Sequence, residues 1–244
     1  MNAALKTETA KFLRSRAPWA TAAAFLLPVA LAAIFVGASG TPPLDEKSQA
    51  LGITPDWPGF HSALMQIDAA GGFLLFGILV TWMFGREYSD RTVLDLLALP
   101  TSRTSIVLAK FTVTTAWLIL LAALQTAAWV ATGIMLGLPG TPHRGLAELL
   151  MLLALTGALA LPIALAASAG RGYLPGIAAT VALLVCGVAA AILGAAAWFP
   201  WALPATVGGL SGAASRPLTA PAIAAATAAA GIAATTLWWR RADH

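Results

Sequence analysis

The feature that most constrains this chain is a succession of apolar runs, separated by short stretches that hold nearly all of its charge. Residues 17–36, 106–136, 146–169, 173–197 and 218–239 are such runs. A helix rises 1.5 Å per residue, so about 20 residues cross a hydrocarbon core about 30 Å thick. A sixth run, 69–84, is too short by this measure, which places its span at 63–84 and draws Gln66 and Asp68 into the outer part of the membrane. The chain is 59% hydrophobic and 10% charged, against about 25% charged in soluble domains. These properties predict one all-α transmembrane domain over residues 1–244 with six spans.

The connections differ in character. Residues 1–16 carry Leu5, Thr9, Phe12 and Leu13 on one helical side with Lys6, Lys11, Arg14 and Arg16 around it, the pattern of a helix lying in the membrane interface. The first apolar run follows this basic start as a secretory signal would. Its length predicts a retained span, kinked near Pro28. Residues 37–62 and 137–145 are rich in Gly and Pro and read as loops, and Gly170-Arg171-Gly172 reads as a tight turn. Residues 198–217 hold Pro200, Pro204 and two Trp with the single charge Arg216. This broken segment is expected at the outer interface, where Trp is enriched.

Charge sets the direction. With both termini inside, Lys6, Lys11, Arg14, Arg16, Arg86, Arg91, Arg103, Lys110, Arg171, Arg240 and Arg241 lie in the cytoplasm and only Lys47, Arg144 and Arg216 outside, as the positive-inside rule requires. The net charge of +4 is thus a matter of topology and does not point to nucleic acid. Lys110 is expected to snorkel to the cytoplasmic interface.

The second and third spans are joined by an unusually charged loop, Gly85 to Lys110. A helix from about Tyr88 to Leu99 would place Val93, Leu94, Leu96 and Leu97 on one side and Tyr88, Arg91, Thr92 and Asp95 on the other, an amphipathic arrangement, with Pro100 ending it. The succession Glu87, Asp95-Leu96-Leu97, Leu99-Pro100, Ser102-Arg103 and Lys110 resembles the cytoplasmic loop of type-2 permeases of ATP-binding-cassette exporters. One position departs from that family, since Arg91 stands where a Gly usually precedes the Thr. The resemblance implies a coupling helix that docks on a separate ATPase subunit, with Glu87, Tyr88, Arg91, Thr92, Asp95 and Arg103 as the docking residues. It also implies a second permease copy or paralogue, two ATPase subunits, and ATP and Mg on those partners, with no cofactor in this chain.

Within the spans, Asp68 and Gln125 are the candidate pathway residues, because a polar group at membrane depth is costly and tends to face a cavity or a partner. Asp68 is expected to face a polar cavity and Gln125 to bond between helices. No Lys follows a Gly anywhere, so the phosphate-cradling Gly-Lys-Ser/Thr motif of an ATPase is missing. His61, His143 and His244 read as solvated loop or terminal residues, with no metal-ligand spacing. Cys186, the single cysteine, reads as a small core residue. Gly37-Ala38-Ser39-Gly40 matches the serine setting of rhomboid proteases, but no span supplies the histidine base such a nucleophile needs. Two alternatives stand beside the exporter permease. A secondary transporter or channel would place several ionisable residues at mid-membrane. A non-transporting scaffold or intramembrane protease would lack the coupling-like loop.

Overall fold

A computed structural model describes residues 2–38, 46, 52–93, 101–212, 214, 215 and 217–241, and every regular element among them is helical. In chain order these are α1 (Asn2–Arg14), α2 (Ala17–Gly37), α3 (Trp57–Ser89), α4 (Arg103–Met135), α5 (His143–Ala160), α6 (Ile163–Ala169), α7 (Tyr173–Ile192), a 3-10 turn at Pro200–Ala202, α8 (Leu203–Val207) and α9 (Ala220–Arg241). Six helices are long and apolar enough to cross a membrane: α2, α3, α4, the Gly145–Ala169 stretch that joins α5 and α6, α7 and α9. The chain is therefore a multi-pass membrane protein. In lipid a helix pairs its own backbone groups, which is why apolar length alone dictates this class of fold.

The second span runs well beyond the expected 63–84. Asp56 caps α3, its Oδ1 accepting from the Gly59 N–H at 2.8 Å, with Pro58 in the first turn, where proline's missing N–H costs nothing. At the far end the Thr92 N–H donates to the Glu87 carbonyl (2.9 Å) and Arg91 turns left-handed at φ 58°, the C-terminal lock that normally recruits glycine. Tyr88 is thus the last turn of α3 and does not open a separate helix. Residues 94–100, with Asp95, lie outside the described residues. Ser102 caps α4 by accepting from the Ser105 N–H at 3.2 Å.

Helix α3 is the centre of the bundle, burying Phe60, Leu64, Phe76, Leu79, Val80 and Phe84 against α2, α5, α6 and α7. The helices α2, α7 and α9 keep apolar residues such as Leu27, Val185 and Leu237 on exposed faces, as expected where lipid or another chain replaces water. Cys186 is on such a face of α7 and not in the core. The fourth span breaks at Pro162, which lacks a backbone N–H to continue the ladder. There α9 closes in through Gly231, where a Cβ would come within 2.6 Å of the Pro162 Cα.

The segment after α7 does not rest on the surface. Ala202, Leu203, Pro204, Ala205 and Val207 are buried, Trp201 donates its indole N–H to the Leu159 carbonyl at 2.9 Å, and Gly208 meets Ala69 and the Met65 carbonyl so closely that no side chain fits. Small residues let this stretch press into the bundle. Trp198, at its start, is exposed.

Candidate functional site

Four charged side chains converge where α1 meets the facing ends of α3 and α4. Lys110 is 2% exposed, and its ammonium donates to Glu87 Oε1 at 2.6 Å, Glu8 Oε2 at 3.0 Å and the Met83 carbonyl at 3.1 Å, which uses all three of its hydrogens. Lys11 closes the ring, 3.0 Å from Glu8 Oε1 and 3.5 Å from Glu87 Oε1. Two ammoniums and two carboxylates make the cluster neutral, the condition under which buried charge is tolerated. Burial pushes the Glu8 carboxyl up, but the nearby Lys110 and then Lys11 outweigh it, so its pKa lies below the ordinary carboxylate value.

This arrangement corrects three expectations. Lys110 does not snorkel; it is the hub of a buried network. Glu87 points inward to that hub and is 4% exposed, so it does not lie on a docking surface. The inward face of α1 carries Ala4, Glu8 and Phe12, and Leu13 is turned out. The spacing of 4, 8 and 12 was the readable signal, because it puts a lone acid of a basic helix on the same side as a buried aromatic. Phe12 meets Trp82 and Trp117 edge-on at 5.9 and 5.3 Å between ring centres.

The remaining loop residues divide. Arg91 and Thr92 are exposed. Tyr88 packs its ring against Trp238 and Trp239 at the end of α9, and Arg103 donates to the Trp239 carbonyl at 3.4 Å. Trp239 is fully buried and donates to Ser168 Oγ at 3.0 Å, and a side chain at Gly85 would strike the Gly172 backbone. The ends of α3, α4, α6 and α9 are thereby joined beside the loop, with α1 on their flank.

The two polar span residues do come together. Gln125 Nε2 lies 2.7 Å from both carboxylate oxygens of Asp68, and both residues are fully buried. The pair links α3 to α4 inside the protein, and Asp68 borders neither of the two cavities nearest it. The cavity near this level, about 580 Å³, is lined instead by His61, Gln66, Glu148 and the glycine-rich turn after α8. A second of about 480 Å³ lies between Trp57, Trp129 and Pro142. His61 Nε2 stands 3.6 Å from Glu148 Oε2, and both residues border the two cavities. His61 is part of α3, not a loop residue. Gly133 serves packing within the protein, since a Cβ there would strike the Trp57 ring.

A family model described as ABC-2 family transporter protein matches residues 4–187, a range that begins in α1 and holds all four residues of the charge cluster. The chain is 27% identical over 182 residues to the bacitracin transport permease protein BCRB of Bacillus licheniformis, an alignment that covers 70% of this chain and 85% of that protein. No solved structure matches it.

Proposed function

The chain belongs to the ABC-2 transporter family, and we propose that it is the membrane-spanning permease subunit of an ATP-driven exporter, paired with a second copy or paralogue and coupled to separate cytoplasmic ATPase subunits. Permeases of such transporters work with an ATPase subunit. Here ATP and Mg would be held by that partner, because this sequence has no Gly-Lys-Ser/Thr motif. Both termini and the loop between α3 and α4 face the cytoplasm in this reading, on the distribution of Lys and Arg.

The observation that carries it is the charge cluster at the root of the loop. A partner that displaces residues 90–102 pulls on the ends of α3 and α4 together, because Glu87 and Lys110 are bonded across them at 2.6 Å. Glu8 adds α1 to the same unit at 3.0 Å. Rigid elements joined in this way move as a body, which converts closure of the ATPase into a shift of the two spans. Exposed Arg91 and Thr92 offer contacts to the partner, and Asp95 is expected to add another. Asp68 and Gln125 stiffen α3 against α4 along the pathway side of that unit.

Purification of the tagged chain from membranes tests the reading. An ATPase should co-purify, and Arg91→Glu or Asp95→Lys should weaken its association or uncouple hydrolysis from transport. Full transport in the absence of any ATPase would establish a secondary transporter or channel instead.

A further inference from the structure

The outward flank of α1 forms a groove with the end of α3, about 520 Å³ in volume and bordered by Lys6, Lys11, Arg14 and Arg86, with no acidic side chain among the described residues of its wall. Two of these cations are already matched. Lys11 rests on Glu8 and Glu87, and Arg86 Nε lies 3.4 Å from Asp90 Oδ2. No ion pair among the described residues involves Lys6 or Arg14, so the groove carries two positive charges beyond those compensated by the described residues. We propose that this groove binds the phosphodiester headgroup of an anionic phospholipid.

The surroundings favour a lipid over a protein surface. Arg86 stands one turn beyond Trp82 and two beyond Ile78 on the same side of α3, with its guanidinium 5.1 Å from the Trp82 ring centre. Ile78 is exposed, as are Leu13 and Trp19 beside the turn from α1 to α2. A cationic groove at the foot of an uncovered apolar face, bordered by tryptophan, has the chemistry of the headgroup level of a bilayer. The phosphate would take Lys6, Arg14 and Arg86, and an acyl chain would follow Trp82 and Ile78. Cationic residues near an anionic membrane surface each add a factor of about five in affinity.

Native mass spectrometry of the full chain in detergent, titrated with phosphatidylglycerol and with phosphatidylcholine, tests this. Phosphatidylglycerol should bind preferentially, and Lys6→Ala with Arg14→Ala should weaken it about twenty-fivefold. Lys6→Arg with Arg14→Lys should retain the preference, which separates charge loss from misfolding. Equal binding of the two lipids, or unchanged phosphatidylglycerol binding in the alanine pair, would overturn the proposal. So would displacement of the lipid by millimolar inorganic phosphate, which would make the groove a site for free phosphate. Loss of ATPase co-purification with intact lipid selectivity would make it a protein-docking surface and equally defeat the lipid assignment. Lipid binding in detergent is indifferent to which way the chain faces the membrane and to ATPase coupling, so its failure leaves the permease reading untouched.

Discussion

Lys110 occupies a position where the loss of its ammonium leaves two buried carboxylates with Lys11 as their only counter-charge in the cluster. Breaking a buried ion pair by removing one partner costs about 3–5 kcal/mol, whereas replacing the whole set with neutral groups of similar size is often tolerated. Lys110→Met should therefore lower the thermal midpoint sharply. The triple change with Glu8→Gln and Glu87→Gln leaves only the partly exposed Lys11 charged and should recover most of that loss, and a triple variant no more stable than the single one would contradict the account. The same cluster makes the seating of α1 sensitive to acid. Because the folded Glu8 pKa is depressed, its contribution is present above the ordinary carboxylate value near 4.5 and is lost as pH falls through the lower folded value. Proteolysis at the turn between α1 and α2 should accelerate in that acidic window, and Glu8→Gln should flatten the dependence. Just past the same end of α3, Arg91 holds φ 58° without the glycine that this conformation favours, at a cost of order 1 kcal/mol. Arg91→Gly should raise the thermal midpoint modestly.

Element by element, the six spans were legible because apolar length is a property of the residues themselves, and their order along the chain stands. Their ends were less so. The second span gained turns at both ends because Asp56 caps one and the left-handed Arg91 closes the other, neither of which hydropathy weighs. The burial of Ala202 to Val207 could not be read at all, since Ala, Pro and Gly in an irregular stretch show no period and reveal their partners only after α3 and α5 are in place. Lys11, Glu87 and Lys110 were legible as charges but not as a buried ring with Glu8, for the same reason: Glu8 and Lys110 are far apart in sequence. Asp68 and Gln125 were each legible, and their mutual bond was not. Close helix packing gives a contrast that tests this picture. Gly231→Ala forces a Cβ within 2.6 Å of the Pro162 Cα, while Gly157→Ala meets its nearest neighbour, a Leu118 methyl, at 3.6 Å. Overpacking costs about 1–3 kcal/mol, and an alanine in place of a mid-helix glycine gains about 0.5–1 kcal/mol. Thermal unfolding should therefore show the first variant destabilised and the second neutral or better, and a reversed order would refute the packing at Pro162.

For the whole molecule, the consequence of the proposed mechanism is that one set of contacts serves both the fold and the transmission of force. Reporter fusions after Gly52 and Pro142 should appear outside, and those after Ser102 and His244 inside; a Ser102 fusion outside would put the loop on the side that has no ATP. With that direction in place, α1 becomes informative, since it is not part of the loop yet joins α3 and α4 through Glu8 alone among its acids. Glu8→Gln removes one charge and leaves Lys110 paired to Glu87 at 2.6 Å, so the bundle retains its hub while α1 keeps only the longer Lys11–Glu87 contact at 3.5 Å, neutral hydrogen bonding and apolar contact. If α1 moves with the other two helices, this variant should keep its ATPase partner and its ATP hydrolysis but transport less per ATP hydrolysed, by a factor of several. Arg91→Glu should act differently, weakening the association itself. Unchanged transport per ATP in Glu8→Gln, with α1 shown to be released by its faster proteolysis, would confine the transmission to the Glu87–Lys110 bridge between α3 and α4 and leave α1 as a passive support.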